Sequence, residues 1–500
     1  MKVEQIRTGF IRTIGHLLFL TGLGVLTTTS CKTSLEEPNF LFIITDDQSW
    51  EHAGCYGDMA VLTPHMDRLA EEGVRFENAY AACPSCSPSR AAILTGQDAY
   101  RLQEGGVLTG FIREQYALFP AILAENGYVV GYTGKGYWPF TKDAPGGVNE
   151  PIGVRYDGHR HDEVPEGISI RDYAANFDRF ITDNQDESPF FFWLGISEPH
   201  RPYEQGRGVD IGIDTSLIRI PAFMPNVPVA REDMADYLSE IQWADDVVGE
   251  VLQVLESRDL MKNTVVIFTS DNGMPFPRSK ATLYNHGVRM PLIIAWDKKI
   301  KGMRVVKDPV NLIDLAPTIL ELSHSGVPEQ MTGQSMNSLL LSNRSEFDSD
   351  KRNFVVTSFE KHTHCRPNEL GFPRRAIHTE QWTYIVNYEP DRYPMGNFEI
   401  RIPNWDILGE TDPGPLKEFY VHNRANPEYS WFYDLAFGKV EREELYNHAE
   451  DPDMIRNLAD HADYIGIKEN LSSLLEEYLM ESRDPRAMGN SPWDDYRLDK

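Results

Sequence analysis

The sequence predicts an α/β protein in which a large, mostly parallel sheet lies between layers of helices and is followed by a smaller α+β domain. Two observations support this fold class. Long apolar runs, such as residues 39–44 and 190–196, are typical of strands buried on both faces, and they alternate with amphipathic helical segments. After about residue 341 the pattern changes to shorter strand-like runs behind a polar stretch. We therefore predict one domain over residues 36–342 and a second over residues 353–485.

Each element has its own signal in the sequence. Thr63 is a suitable N-cap and Pro64 a suitable first-turn residue, so a helix begins here and ends at Gly73. In the first domain the patterns predict strands over residues 39–44, 128–132, 190–196, 264–269 and 292–295, and further helices over 88–94, 121–126 and 231–255. In the second domain they predict strands over 354–359 and 382–388 and a helix over 467–481.

Four of the predicted strands are followed closely by polar residues. Open α/β sheets place their functional sites at the carboxyl ends of their strands, so we expect these side chains to belong to one site. In the order of their strands, the residues are Asp46 with Asp47, Lys135, His200, and Asp271 with Asn272.

The first thirty residues predict a targeting segment. Basic residues precede an apolar stretch over 14–26 that is too short to span a bilayer comfortably, and small residues at 28–30 precede Cys31. This order resembles a bacterial lipoprotein signal peptide over residues 1–30, with Cys31 acylated after cleavage. We therefore expect export and a lipid anchor in a bacterial membrane, facing the periplasm or the cell surface. The alternative is simple cleavage into the periplasm, with Cys31 incidental.

Composition excludes several classes of protein. With 48 basic and 76 acidic residues the net charge is −28, which excludes a nucleic-acid partner bound through a broad basic face. The same charge repels polyanions at long range, so an anionic substrate must bind in a local basic pocket. Five cysteines in 500 residues are too few for a disulfide framework.

Two polar pairs, Asp46-Asp47 and Asp271-Asn272, predict a cation site. If their strands are neighbours, the pairs place several oxygen ligands together. Burying three carboxylates without compensation is too costly, so a hard cation such as calcium is expected among them. The alternative is that these aspartates only cap the turns that follow their strands.

The segment from Cys86 to Arg90 heads a predicted helix. Backbone N–H groups and the helix dipole favour an anion, or developing negative charge, at that position. Cys86 is therefore a candidate nucleophile with a lowered thiol pKa, and Arg90, one turn later, would hold it in place. The alternative is that Cys86 is a small buried hydrophobic residue.

These residues also carry a resemblance to a known family. The motif Cys86-x-Pro88-Ser89-Arg90, followed by Leu94-Thr95-Gly96, resembles the signature of the type I, formylglycine-dependent sulfatases, and implies an alkaline-phosphatase-like fold. Within that family the chain is most similar to heparan N-sulfatases and to polysaccharide sulfatases of the ulvan type. Further family blocks follow in order at Gly134-Lys135, Pro199-His200, Asp271-Asn272-Gly273, Lys280 to Pro291 and Asp314 to Thr318.

The resemblance implies a cofactor and a modified residue. A formylglycine-generating maturation enzyme would convert Cys86 to formylglycine (3-oxoalanine), whose hydrated form attacks sulfur. One calcium ion per chain would be held by Asp46, Asp47, Asp271 and Asn272, with an oxygen of the modified residue 86 completing the ligands.

The resemblance also implies how the sulfate is held. Lys135 and Lys280 would hold sulfate oxygens, and Arg90 would anchor the formylglycine diol. His200 would protonate the leaving oxygen or nitrogen. One position departs from the family pattern, because Tyr137 stands where the family usually has a histidine. A phenol is a poor base at neutral pH, so either another group, such as Asp271, takes that proton or the second half-reaction is slow.

Tyr137 is also a candidate for binding the substrate, and four more residues are candidates for the same role. They lie in the second domain, where it would overhang the pocket, and arginine there would suit a second sulfate or a uronate carboxylate. For the two arginines the alternative is that they are ordinary surface charges. The candidates are His362, His364, Arg374 and Arg375.

The sequence therefore predicts an exported, calcium-dependent sulfatase that acts on a sulfated polysaccharide or its oligosaccharides, such as ulvan or a glycosaminoglycan. One alternative is an N-sulfoglucosamine sulfohydrolase, which cleaves an N–S bond in heparan degradation. A phosphatase or phosphodiesterase of the same superfamily is disfavoured by Cys86 in its Pro-Ser-Arg context. The remaining alternative is a lipoprotein that binds sulfated glycans without hydrolysing them.

Overall fold

A nine-stranded mixed sheet and a four-stranded antiparallel sheet organise the chain. The computed structural model describes residues 37–137, 146–184, 188–347, 353–403, 406–448 and 450–496, so the predicted signal peptide and Cys31 lie outside the described residues. Within those ranges no helix combines the length and the apolar character needed to cross a membrane.

The strands of the large sheet follow the order β4-β3-β5-β1-β6-β7-β2-β8, and β9 also pairs with β2. All pairs are parallel except those of β7, which runs antiparallel to both of its neighbours. The strands are β1 (Asn39–Thr45), β2 (Val74–Tyr80), β3 (Val129–Gly134), β4 (Val154–Arg155), β5 (Phe190–Gly195), β6 (Thr264–Ser270), β7 (Arg289–Ala295), β8 (Arg304–Val306) and β9 (Val310–Asn311).

Helices cover both faces of this sheet. Along β1, Phe40 and Phe42 pack into one core and Leu41 and Ile43 into the other, because successive strand side chains point to opposite faces. This explains the continuous apolar runs that the sequence shows. The helices are α1 (Pro64–Glu72), α2 (Cys86–Thr95), α3 (Phe119–Glu125), α4 (Tyr173–Asp183), α5 (Arg207–Asp210), α6 (Pro228–Ser257), α7 (Asn285–Val288), α8 (Leu315–Leu322), α9 (Asn337–Leu340), α10 (Pro415–His422), α11 (Ser430–Phe437) and α12 (Ile465–Glu481).

The smaller sheet has the order β10-β11-β12-β13, with every pair antiparallel. Its strands are β10 (Val355–Phe359), β11 (Arg374–His378), β12 (Trp382–Asn387) and β13 (Glu443–Asn447). The backbone N–H of Ser358 donates to the carbonyl of Ala82 at 2.9 Å, which joins this sheet to the segment ahead of α2. The predicted fold class is confirmed. The described residues from Glu37 onward form one compact unit, and the proposed boundary between two domains stays a prediction.

Five strands of the large sheet differ from the prediction, and the three shortest of them, β4, β8 and β9, were not predicted. β2 was not predicted, because its sequence interrupts the apolar pattern with Arg75, Glu77 and Asn78, and its pairing with β7 is irregular between Phe76 and Ala79. The reversed direction of β7 was also not predicted, since strand direction leaves no signal in a short apolar run.

A buried acid stands out on the long helix α6. Glu240 is 1% exposed, and neither of its carboxylate oxygens has a hydrogen-bond partner among the described residues. Burial, and next the negative charge of Glu198, raise the pKa of Glu240 to about 9. The folded protein therefore keeps a proton on Glu240 at neutral pH.

Because Glu240 keeps this proton, we predict that the effect of Glu240→Gln on the unfolding free energy depends on pH. The ordinary pKa of glutamate is 4.5, so between pH 4.5 and about 9 the unfolded chain has lost a proton that the folded protein retains. Wild-type stability then falls as pH rises through this window, and the glutamine variant escapes that loss. In denaturant unfolding at pH 5, 7 and 9, the unfolding free energy of the variant relative to that of the wild type should increase as pH rises. The increase should reach a few kcal/mol at pH 9.

The matched control is Glu232→Gln, at an exposed position on the same helix. Its difference in unfolding free energy from the wild type should not change with pH. A Glu240→Gln difference that is equal at pH 5 and pH 9 would show that Glu240 is ionised in the folded protein.

Candidate active site

The four strands that end in polar residues lie side by side. β3, β5, β1 and β6 are adjacent and mutually parallel, so their carboxyl ends meet at one end of the sheet. The N-terminus of α2 reaches the same place, since the ligand atoms of Asp46, Asp47 and Cys86 all lie within 4.8 Å of one another. The predicted convergence of these residues is therefore observed.

Arg90 on α2 connects three of these strand ends. Its Nε donates to Asp271 Oδ2 at 2.7 Å, and both side chains are fully buried. Nη1 donates to the carbonyls of Lys135 at 2.5 Å and Gly136 at 3.2 Å, and Nη2 donates to that of Thr45 at 3.5 Å. All three nitrogens of the guanidinium are thus engaged in holding strand ends together, a role that the sequence did not predict.

The acidic residues present oxygens to a common point. Asp47 adopts a left-handed backbone conformation (φ 72°), which interrupts the strand alternation that would send Asp46 and Asp47 to opposite faces. The Asp47 amide donates to Asp271 Oδ1 at 3.2 Å. Asn272 Nδ2 donates to Asp47 Oδ1 at 2.6 Å and to the Gly273 carbonyl at 3.0 Å, which fixes the orientation of its amide.

Two acceptor oxygens in this cluster have no donor. Asp46 Oδ1 and Asn272 Oδ1 are buried without a hydrogen-bond partner in the described part of the chain. Burial, and next the charge of Asp46, raise the pKa of Asp271 to about 6 despite its bond to Arg90. Buried carboxylate and amide oxygens that lack hydrogen-bond donors are the ligands that a hard divalent cation prefers, so these residues fit one.

Two lysines face the same carboxylates. Lys135 Nζ pairs with Asp46 Oδ2. Lys280 Nζ is 2.8 Å from Asp47 Oδ2 and 2.9 Å from Asp412 Oδ2. Burial opposes the charge on both lysines, yet these aspartates raise both lysine pKa values above the ordinary range. Both lysines are therefore protonated and able to hold an anion.

Cys86 begins α2 and is 4% exposed. Burial raises the pKa of its thiol to about 12, although Lys135 and Lys280 oppose the shift. The prediction of a lowered thiol pKa is therefore wrong, because burial outweighs the helix N-terminus and the nearby lysines. An unmodified Cys86 would carry its proton at neutral pH and would be a poor nucleophile.

His200 follows β5 and has the most exposed of these side chains, at 36%. Its Nδ1 lies 2.6 Å from the carbonyl of Arg201. Because a carbonyl only accepts, Nδ1 donates there, and Nε2 is left to exchange a proton with a bound molecule. Nε2 is 3.9 Å from Asp47 Oδ2, which points it at the cluster.

Asp412 is a site residue that sequence reasoning missed. Its carboxylate pairs with Lys280, and ligand atoms of Asp47, His200 and Asp412 lie within 4.8 Å of one another. Burial opposes its ionisation, but the charge of Lys280 above all holds the pKa of Asp412 well below its ordinary value. It stands in an irregular stretch between β12 and α10, where no motif or strand end marks it.

His362 is the one substrate candidate of the second domain that the structure places beside the site. Its Nδ1 lies 2.8 Å from Ser85 Oγ, directly ahead of Cys86. Burial, and next the charge of Lys280, lower the pKa of His362. Its imidazole is therefore neutral at pH 7.

Tyr137 is not placed as a substrate contact. It is 3% exposed, packs in the core with Phe42 and Phe191, and donates its hydroxyl to the Gly110 carbonyl at 3.1 Å. Burial raises the pKa of its phenol above the ordinary value, so it is not a base.

The other three candidates, His364, Arg374 and Arg375, are buried in the protein. His364 bridges Thr109 and Glu369, at 3.0 Å and 2.9 Å. Arg375 is bound by Asp484 and Glu360, at 2.8 Å each. Arg374 is 1% exposed, with the rings of Phe372 and Phe359 at 4.8 Å and 5.4 Å. Neither arginine is a surface charge, so that alternative is wrong, and neither is placed at the site.

Known proteins match this chain in sequence. It is 28% identical over 478 residues to human N-sulphoglucosamine sulphohydrolase, an alignment covering 89% of this chain and 91% of that protein. It is 26% identical over 503 residues to an ulvan-active sulfatase of Formosa agariphila, covering 91% of this chain and 77% of that protein.

Solved structures share the fold. One, in complex with its substrate D-glucosamine-2-N,6-O-disulfate, has a TM-score of 0.65 at 20% identity and covers 92% of this chain and 100% of its own. Another, a 2-O GAG sulfatase, has a TM-score of 0.62 at 19% identity and covers 92% of this chain and 96% of its own.

Family models match most of the described chain. The model described as Sulfatase matches residues 38–325, which contain the strand ends, Cys86 and both lysines of the site. The model described as N-sulphoglucosamine sulphohydrolase, C-terminal, matches residues 278–425 and includes Asp412. The predicted family and branch are confirmed: the chain belongs to the sulfatase family and is a sulfuric ester hydrolase.

Proposed function

We propose that the enzyme removes sulfate groups from a sulfated polysaccharide or its oligosaccharides, using a formylglycine made from Cys86 and one calcium ion. The observation that carries this proposal is the buried cluster of Asp46, Asp47 and Asn272, which faces Cys86 and leaves two acceptor oxygens without donors. The raised thiol pKa of Cys86 also favours a modified nucleophile over the thiol itself.

The cation would be held by Asp46, Asp47, Asp271 and Asn272. When bound, it supplies positive charge that neutralises the sulfate and polarises its S–O bonds, and the hydrated formylglycine supplies the attacking hydroxyl.

The protein's own side chains would bind the sulfate and move the proton. Protonated Lys135 and Lys280 hold sulfate oxygens. His200 gives a proton from Nε2 to the departing oxygen or nitrogen, and the bond from Nδ1 to the Arg201 carbonyl keeps the ring in that orientation. Arg90 keeps the strand ends in register.

The class of substrate is proposed from the relatives. Their names point to N-sulfated glucosamine and to ulvan, and both are sulfated glycans. The match to the C-terminal N-sulphoglucosamine sulphohydrolase model supports N–S cleavage as the alternative. The geometry suits either bond, because a protonated His200 can serve a leaving oxygen or nitrogen.

We also propose export and lipid attachment at Cys31, on the strength of the basic, apolar and small-residue order of residues 1–30. Metabolic labelling with a palmitate analogue tests this, since a Cys31→Ala variant should lose the label. Label that persists in the variant would contradict it.

Sulfate release should depend on Cys86. We expect protein co-expressed with a maturation enzyme to release sulfate from one class in a panel of N-sulfated and 6-O-sulfated glucosamine, heparan disaccharides and ulvan oligosaccharides. Cys86→Ala should reduce the rate by about a thousandfold or more, because the nucleophile is lost. Ion chromatography of free sulfate measures this.

The matched control is Cys83→Ala, which removes a buried thiol three residues away and should leave release within a few-fold of the wild type. Release from N-sulfated substrates alone would establish the N–S alternative. Glycan binding without release, with mass spectrometry showing residue 86 converted, would establish the binding-only alternative.

Calcium should stabilise the folded protein. At a calcium concentration about a hundred times the dissociation constant, we expect a gain of about 2.7 kcal/mol in unfolding free energy. Asp46→Asn should lose most of this gain, because a charged ligand is removed. Differential scanning calorimetry with and without calcium measures it independently of activity, and an equal calcium effect in both proteins would contradict the assignment of Asp46.

Tyr137 should contribute to stability and not to turnover. Its hydroxyl is bound to the Gly110 carbonyl within the core, so Tyr137→Phe should cost about 1 kcal/mol of stability and keep kcat within about threefold. Tyr128→Phe is the matched control, since that buried hydroxyl also donates to a backbone carbonyl, at 3.0 Å. A large fall in kcat for Tyr137→Phe alone, with a sulfate adduct accumulating on residue 86, would show that the phenol takes part.

A further inference from the structure

Asp412 brings a carboxylate to the active site from the irregular stretch between β12 and α10. Its side chain is 19% exposed, whereas the Asp47 and Lys280 side chains with which it clusters are 0% and 2% exposed. Asp412 therefore lies nearer to solvent than Asp47 and Lys280 do.

A second metal ion is not needed to explain this carboxylate. The ammonium of Lys280 already lies between Asp47 Oδ2 and Asp412 Oδ2, at 2.8 Å and 2.9 Å. A second metal held by Asp47, His200 and Asp412 would have to displace that ammonium. Lys280 serves as the cation here, which leaves Asp412 available for a different role.

The position of Asp412 relative to His200 indicates that role. An atom of the Asp412 carboxylate lies within 4.8 Å of the His200 nitrogen that also approaches Asp47. In the proposed reaction Nε2 of His200 protonates the atom that joins the sulfate to the sugar. The sugar carbon that carries this atom therefore sits next to His200, and the substituents nearest to it come within reach of Asp412.

The negative charge of Asp412 favours some substituents of the sugar over others at this position. A hydroxyl or N–H group can donate to a carboxylate, whereas a second sulfate or a uronate carboxylate would meet the like charge of Asp412. Lys280 does not remove this repulsion, since its single charge also serves Asp47 and the sulfate that reacts.

We infer that Asp412 determines specificity: it accepts a hydrogen bond from a hydroxyl or N–H group nearest to the reacting sulfate, and it excludes substrates with a second anionic group there. This inference rests on the proposed function. It also narrows the substrate class to sugars that carry no second anionic group next to the sulfate that reacts.

Matched substrate pairs test the inference. The pairs are N-sulfoglucosamine with and without a 3-O-sulfate, rhamnose 3-sulfate with and without a 2-O-sulfate, and N-acetylgalactosamine 6-sulfate with and without a 4-O-sulfate. For the pair that the wild type accepts, we expect kcat/KM to favour the member without the extra sulfate by about tenfold or more. Asp412→Asn should bring this ratio to within about threefold of unity, because its amide repels no anion.

Two further variants keep the result decisive. Asp412→Glu retains the charge and should retain the wild-type ratio, even if Asp412→Asn loses activity by releasing Lys280. Asp391→Asn, an exposed aspartate on the same stretch, should leave the ratio unchanged. A wild-type ratio in Asp412→Asn, or a lost ratio in Asp412→Glu, would overturn the inference alone. No sulfate release by the wild type from any substrate would overturn the proposed function as well.

Discussion

The Arg90 guanidinium is the interaction on which the active site depends. It is fully buried, pairs with the equally buried Asp271, and donates to the carbonyls that end β1 and β3. Those strands and β6 come from distant parts of the chain, and their ends must meet within a few ångströms if their side chains are to act together. A planar group with five donors can satisfy a carboxylate and several carbonyls at once, which the single ammonium of a lysine cannot do.

Local patterns in the sequence were sufficient to predict which polar residues follow the buried strands. The apolar runs before Asp46, Lys135, His200 and Asp271 identify buried strands. Because open α/β sheets place functional residues at the carboxyl ends of their strands, the polar residues after these runs are expected at one end of the sheet. The adjacency of β3, β5, β1 and β6 is a property of strand order, which no local pattern records. The reversed direction of β7 was missed for the same reason, whereas β2 was missed because polar residues interrupt its apolar pattern.

Properties that depend on burial were predicted less well. The low thiol pKa expected for Cys86 followed from its place at a helix N-terminus, but the surrounding protein excludes water and reverses the shift. Arg374 and Arg375 look like surface charges or anion ligands in the sequence, yet both are buried, and Arg375 is neutralised by Asp484 and Glu360. Asp412 could not be found, since its partner Lys280 is 132 residues away.

The pairing of charges also explains how a protein with a net charge of −28 can bind a sulfate. Lys135 and Lys280 are partnered by Asp46 and Asp47, the carboxylates that we assign to the cation. A carboxylate that binds a divalent cation attracts a neighbouring ammonium less, so the cation makes both lysines more available to an anion. By linkage, an anion held by the lysines strengthens the binding of the cation to the same extent. With the cation that we propose, the local positive pocket that the acidic composition demands would therefore be created when the cation and the sulfate bind together.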